Sequence, residues 1–222
     1  MADKENGTEK LTGDAVAEME DLDDWRPMLG ALRTRFATGD FETGLKLVTD
    51  IAKVAEKANH HPDVNLRYPH VDVTLSSHDV GGMTERDVDL ARRISEIASK
   101  MDVEAEPGAV TTVEIGLDTW EEDKIRPFWA AVLGAEESQG ELVDGSGAVP
   151  TMWFQDTDQH EEPRQRFHLD VWVPADQAES RIKAALDAGG TLVSDDEAPS
   201  FVVLADAHGN KACICTSASR SG

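Results

Sequence analysis

Between His70 and Ser76 the chain alternates cleanly, with Val71, Val73 and Leu75 on one side and Asp72, Thr74 and Ser76 on the other. That period of two predicts a strand with one buried face. A period of three to four flanks it on both sides. Over Phe41–Asn59 the apolar positions Leu45, Val48, Ile51, Ala52 and Ala55 predict an amphipathic helix, with Asp40 as its N-cap and Pro62 as its stop. After Gly81-Gly82, Thr84-Glu85-Arg86-Asp87 has the form of a capping box and predicts a helix to about Lys100, with Val88, Ala91, Ile94, Ile97 and Ala98 turned inward. Upstream, Thr12 or Asp14 caps a short acidic helix reaching about Leu22, and Leu29–Phe36 reads as a strand. Asn65–Tyr68 is a short strand broken by Pro69. The expected fold class is α+β, with an N-terminal antiparallel four-stranded sheet and three helices.

Beyond this block the texture changes. Residues 1–10 are expected to form a disordered tail, residues 11–101 the first domain, residues 102–108 a linker and residues 109–217 a second domain. In the second domain, strands are expected at Thr111–Leu117, Glu141–Val143, Thr151–Gln155, Arg166–Val173, Thr191–Ser194, Phe201–Ala205 and Lys211–Thr216. Helices are expected over Ile125–Leu133 and Ala175–Ala188. These form two consecutive βαβββ modules.

Composition narrows the partners. The net charge is −23, and both halves are acidic: residues 1–101 carry 13 Lys and Arg against 20 Asp and Glu, and residues 102–222 carry 8 against 24. Such a surface repels nucleic-acid phosphates and anionic membranes, so neither is an expected partner. No apolar run approaches the roughly 20 residues of a membrane span, and the N-terminus lacks a signal-peptide pattern. Cys213 and Cys215 share one face of a strand, which suits buried thiols in a reducing cytoplasm.

Three histidines carry the candidate chemistry: His60 and His61, beside Pro62, and His78 after the alternating strand. Imidazole is the side chain whose ordinary pKa lies nearest neutrality, so the group points to acid–base work. Adjacent residues point in different directions, which makes joint metal ligation by His60 and His61 awkward.

The stretch Glu56, His60-His61-Pro62, Tyr68, Val71–Leu75, Ser77-His78-Asp79, Gly81-Gly82 and Thr84–Asp87 resembles the pterin-4a-carbinolamine dehydratases. Trp25, Arg35-Phe36 and Asp40-Phe41 also fit, and Val64 stands where many members have tryptophan. The resemblance implies dehydration of 4a-hydroxytetrahydrobiopterin to the quinonoid dihydropterin and water, without a cofactor. It implies His60 and His78 as acid and base, His61 as a pterin-holding residue, and Glu56, Asp87 and Tyr68 as substrate-binding or orienting residues. It also implies a homo-oligomer, dimer or tetramer. A dimerisation role beside transcription factors is the other function known in the family.

In the second domain, Phe128–Gly134, Arg166–Val171 and Leu204–Lys211 resemble the glyoxalase-like (vicinal oxygen chelate) domains. The positions that correspond to metal ligands there are Glu114, His168 and Cys213. Cys213 stands where a carboxylate is usual, so the expectation is a cup without metal, in which Trp153, Phe154 and Trp172 line a pocket or pack as core. The alternative reading of the whole chain is a glyoxalase-like lyase, dioxygenase or small-molecule-binding protein with a vestigial dehydratase domain.

Overall fold

The computed structural model describes residues 8–123, 125, 126, 130, 135–145, 147, 149–158, 167–187, 189–205 and 211–219. The chain divides into two compact units: residues 1–110, 173–177 and 216–222 form the first, and residues 111–172 and 178–215 the second.

The first unit runs α1 (Gly13–Ala17), β1 (Arg26–Met28), β2 (Ala31–Ala37), α2 (Phe41–Ala58), β3 (Asp63–Arg67), β4 (His70–Leu75), α3 (Glu85–Lys100) and β5 (Glu104–Ala105). Its antiparallel sheet has the order β1-β2-β4-β3, with β5 also paired to β2. The strand expected from Leu29 instead begins at Ala31. Leu29 and Gly30 both have positive φ and turn the chain between β1 and β2. Residues 102–108, expected as a linker, contain β5 and belong to the first unit.

Val71, Val73 and Leu75 of β4 join Leu32 and Phe36 of β2 under the two long helices. The buried stripe of α2 is Gly44, Leu47, Ile51 and Ala55. Leu45 and Ala52, expected inside, are exposed, because the face touching the sheet is centred between Leu47 and Ile51. Gly44 is needed for close approach: a Cβ there would lie 2.6 Å from Leu66 Cδ1. The α3 stripe of Val88, Ala91, Ile94 and Ala98 is buried as the pattern predicts. Each fully buried Val or Ile contributes about 1.5–3 kcal/mol. On the opposite face of the sheet Arg35 grips Asp72 through two bonds of 2.6 and 2.9 Å.

The second unit is an eight-stranded mixed sheet. Its strands are β6 (Thr112–Thr119), β7 (Glu136–Ser138), β8 (Glu141–Val143), β9 (Met152–Asp156), β10 (Phe167–Trp172), β11 (Thr191–Ser194), β12 (Phe201–Ala205) and β13 (Lys211–Cys215). Helix α4 spans Ala178–Asp187. The order β11-β12-β13-β10-β6-β9-β8-β7 contains two like halves. In each, the first strand pairs in parallel with the last, β6 with β9 and β10 with β13. The halves join where β6 meets β10 antiparallel. This is the expected pair of βαβββ modules, with β7 added. Most of the helix expected over Ile125–Leu133, the Phe128–Gly134 motif, Arg166 and residues 206–210 lie outside the described residues. No described helix is long and apolar enough to cross a membrane.

Candidate functional site

The placement of His60 begins with how α2 ends. Asn59 takes the left-handed conformation, with φ 49° and ψ 40°. The His60 N–H then bonds back to Ala55 O at 3.2 Å and the Asn59 N–H to Glu56 O at 3.3 Å. This pair of reversed bonds is a Schellman motif, with asparagine in the position usually held by glycine. The helix therefore stops before Pro62 is reached, and Asn59 rather than the proline ends it. The reversal buries His60 and leaves His61 exposed.

Inside, His60 meets the start of α3. Its Nε2 lies 2.7 Å from Asp87 Oδ1. Asp87 is completely buried, and its other oxygen, Oδ2, accepts bonds from Ser77 Oγ at 2.7 Å, the Thr84 N–H at 2.8 Å and Thr84 Oγ1 at 3.2 Å. The capping box is complete, since Thr84 Oγ1 in turn accepts from the first turn of α3. Asp87 is thus both helix cap and histidine partner. A carboxylate only accepts, so Nε2 carries a proton and donates it to Asp87, and in the neutral ring the lone pair is then on Nδ1.

The same network holds the loop that carries His78. Ser77, its neighbour, is buried, bonded to Asp87 and bridged to Gly82, where the Ser77 N–H donates to Gly82 O at 2.8 Å. Gly81, at φ 63°, closes this turn. His78 itself is exposed. On its other side Asp79 accepts from Arg86 Nη2 at 2.7 Å. That hydrogen bond holds the Asp79 carboxyl below its usual range, with the Arg86 charge and His60 assisting.

Glu56 does not reach His60. Its Oε1 lies 3.4 Å from His61 Nε2, and both side chains are exposed. A continuous helix would have stacked Glu56 under His60, four residues on, but the left-handed turn at Asn59 breaks that register. Tyr68 is also apart. It is 72 % exposed in the turn of the β3–β4 hairpin, five residues beyond Asp63, or roughly 16 Å along an extended strand. His60, His61 and the His78 loop lie at the hairpin's other end.

In the second unit, register decides which side chains share a face. Asp170 of β10 pairs with Glu114 of β6 and with Cys213 of β13. His168, two residues earlier on β10, lies on the same face. The three residues His168, Asp170 and Cys213 bring one ligand-type atom each within 4.8 Å of one another. Glu114 is engaged otherwise, accepting from Trp172 Nε1 at 2.8 Å. Asp170 escaped the sequence reading, although its i, i+2 spacing from His168 on a strand is a usable signal. Trp153 meets the His168 ring edge-on at 5.5 Å, whereas Phe154 packs on the opposite face with Leu117, Leu142 and Met152.

Comparison with known proteins accounts for both units. Residues 9–97 match the family model for pterin 4 alpha carbinolamine dehydratase, and residues 114–215 that for a glyoxalase-like domain. Relatives that carry the name pterin-4-alpha-carbinolamine dehydratase include one from Nocardia farcinica, 40% identical over 41% of this chain and 97% of its own length. Another, from Aquifex aeolicus, is 36% identical over 41% of this chain and 94% of its own. Among solved structures, a transcriptional coactivator/pterin dehydratase from Brucella melitensis is 35% identical over 40% of this chain and 99% of that one, with a TM-score of 0.39.

Proposed function

The chain belongs to the pterin-4a-carbinolamine dehydratase family through its first domain, and from that membership we propose that it dehydrates a 4a-hydroxytetrahydropterin, such as 4a-hydroxytetrahydrobiopterin, to the quinonoid dihydropterin and water. The observation that carries this reading is the buried His60–Asp87–Ser77 chain of hydrogen bonds, which ties the end of α2, the His78 loop and the start of α3 into one unit.

The reaction needs a proton on the departing 4a-oxygen and removal of the proton from N5. The pterin ring carries the developing charge. His60, fixed by Asp87 with Nδ1 available, and His78, accessible on a pinned loop, are the acid–base pair. A positioned acid or base typically contributes about 10²–10⁴-fold. His61 is accessible, partnered by Glu56, and holds the pterin. Asp87 acts through His60 as a positioning residue.

Self-association as a dimer or tetramer goes with this proposal. Phe41, Leu45, Val64 and Tyr68 are large, exposed apolar side chains of the first unit, and among the described residues β3 is an edge strand paired on one side, to β4. Sedimentation of the purified chain tests it, and a monomer at micromolar concentration refutes it.

The test of function is the rate of 4a-carbinolamine loss with the purified full chain against the spontaneous rate. Acceleration that falls at least 100-fold in His60→Ala and in His78→Ala is expected. No acceleration refutes the activity, and unchanged rates in both variants refute the residue roles.

A further inference from the structure

Asp170 is buried in the middle of the second unit's sheet, and among the described residues its Oδ1 has no hydrogen-bond donor. His168 Nε2 lies 3.5 Å from it. On its other side the His168 ring places Nδ1 3.2 Å from Asp118 Oδ1. A cation between His168 Nε2 and Asp170 Oδ1 would be held by donors from two strands on this face, since Cys213 reaches the same point from β13.

We propose that His168 Nε2, the Asp170 carboxylate and Cys213 Sγ form a binding site for a borderline-soft divalent metal of the zinc type, with a fourth position open to water or a ligand oxygen. The donor set selects the metal. Thiolate and imidazole favour zinc over calcium or magnesium, which take oxygen ligands. Zinc binds sulfur, nitrogen and oxygen at about 2.0–2.3 Å, so tetrahedral donors stand roughly 3.3–3.8 Å apart. The present mutual distances, all within 4.8 Å, need only a small inward rotation of side chains. Thiolate and carboxylate together balance a divalent charge. Asp118 orients the histidine as a carboxylate commonly does behind a metal-bound imidazole. Gly116 leaves room for the ring, since a Cβ there would lie 2.8 Å from its Nε2 and Cε1.

This ligand set differs from the Glu114, His168 and Cys213 positions that the sequence suggests. Glu114 holds the Trp172 indole, and the carboxylate comes from β10 instead. The register that sets Asp170 beside Cys213 makes that exchange possible.

The full-length chain, freed of metal with a chelator, is titrated with Co(II) and then with Zn(II). One equivalent of Co(II) per chain is expected, with a near-ultraviolet sulfur-to-cobalt charge-transfer band that Zn(II) abolishes. Cys213→Ser removes the band, and Asp170→Asn weakens Co(II) binding about 10-fold or more. Glu114→Gln retains the band and the stoichiometry. His168→Gln gives the same loss as Asp170→Asn and replaces it if that variant fails to fold by circular dichroism. A wild-type chain that holds no equivalent of either metal overturns the proposal, leaving a proton between His168 and Asp170. A band that survives in folded Cys213→Ser overturns it as well.

Discussion

Replacing Asp87 by asparagine separates the two tasks of one buried carboxylate. The side chain keeps its shape, so its oxygen can still accept from Ser77 Oγ and the Thr84 N–H, now 2.7 and 2.8 Å away. The amide nitrogen must then face His60 Nε2, where the carboxylate Oδ1 stood at 2.7 Å. A donor now meets a donor, and His60 answers by moving its proton to Nδ1. The stability cost is that of weakening one buried charge-assisted bond, about 1.5–3 kcal/mol. The activity cost is larger, because Nδ1 has lost its lone pair, and removing one acid–base group typically costs about 10²–10⁴-fold. Asp87→Ala, by contrast, strands His60, Ser77 and Thr84 together and removes the capping box, so it costs about 3–5 kcal/mol. For a domain of this size each 1 kcal/mol lowers Tm by roughly 4–8 °C. The checks are a thermal melt, the carbinolamine dehydration rate, and the His60 tautomer read from nitrogen chemical shifts. A folded Asp87→Asn chain that keeps the wild-type rate, or keeps the His60 proton on Nε2, refutes the reasoning.

Three further outcomes follow from the packing and charges. Ile94→Ala opens a cavity beneath the sheet at a fully buried position of α3, and is expected to cost about 2–5 kcal/mol in urea denaturation without altering the metal titration. Burial raises the Glu141 carboxyl above its usual range, so the native state binds that proton more tightly than the unfolded chain, and stability falls as pH rises through the Glu range. Glu141→Gln should therefore raise Tm at pH 7 and leave it unchanged at a pH below the ordinary Glu value; equal gains at both would contradict the burial argument. Glu56→Gln should move the NMR signals of His61 and leave those of His60 in place, and the reverse result would mean that α2 continues past Asn59.

Much of the first domain is written locally. The α3 capping box needs only Thr84 and Asp87, three residues apart, and the β4 alternation needs only its own six residues. The β1–β2 turn was harder to see, because Leu29 is an unusual residue for positive φ and hides the break beside Gly30. Strand β7, Glu136–Ser138, has no apolar residue to mark it, and becomes a strand only by pairing with β8 across the Gln139-Gly140 turn.

The amino-acid sequence determined the two long helices α2 and α3, the alternating strand β4 and the placing of three histidines on either side of one hairpin. Those properties depend on residues within a few positions of one another, through helix periodicity, strand alternation and caps. Only the tertiary structure decided which groups touch. His60 and Asp87 are 27 residues apart and meet because two chain reversals converge beneath one sheet end. Glu56 pairs with His61 rather than His60 because one left-handed residue ends the helical register. Asp170 faces Cys213 rather than a neighbour because the parallel pairing of β10 with β13 fixes a single register, and a slip of one residue would turn either side chain to the other face.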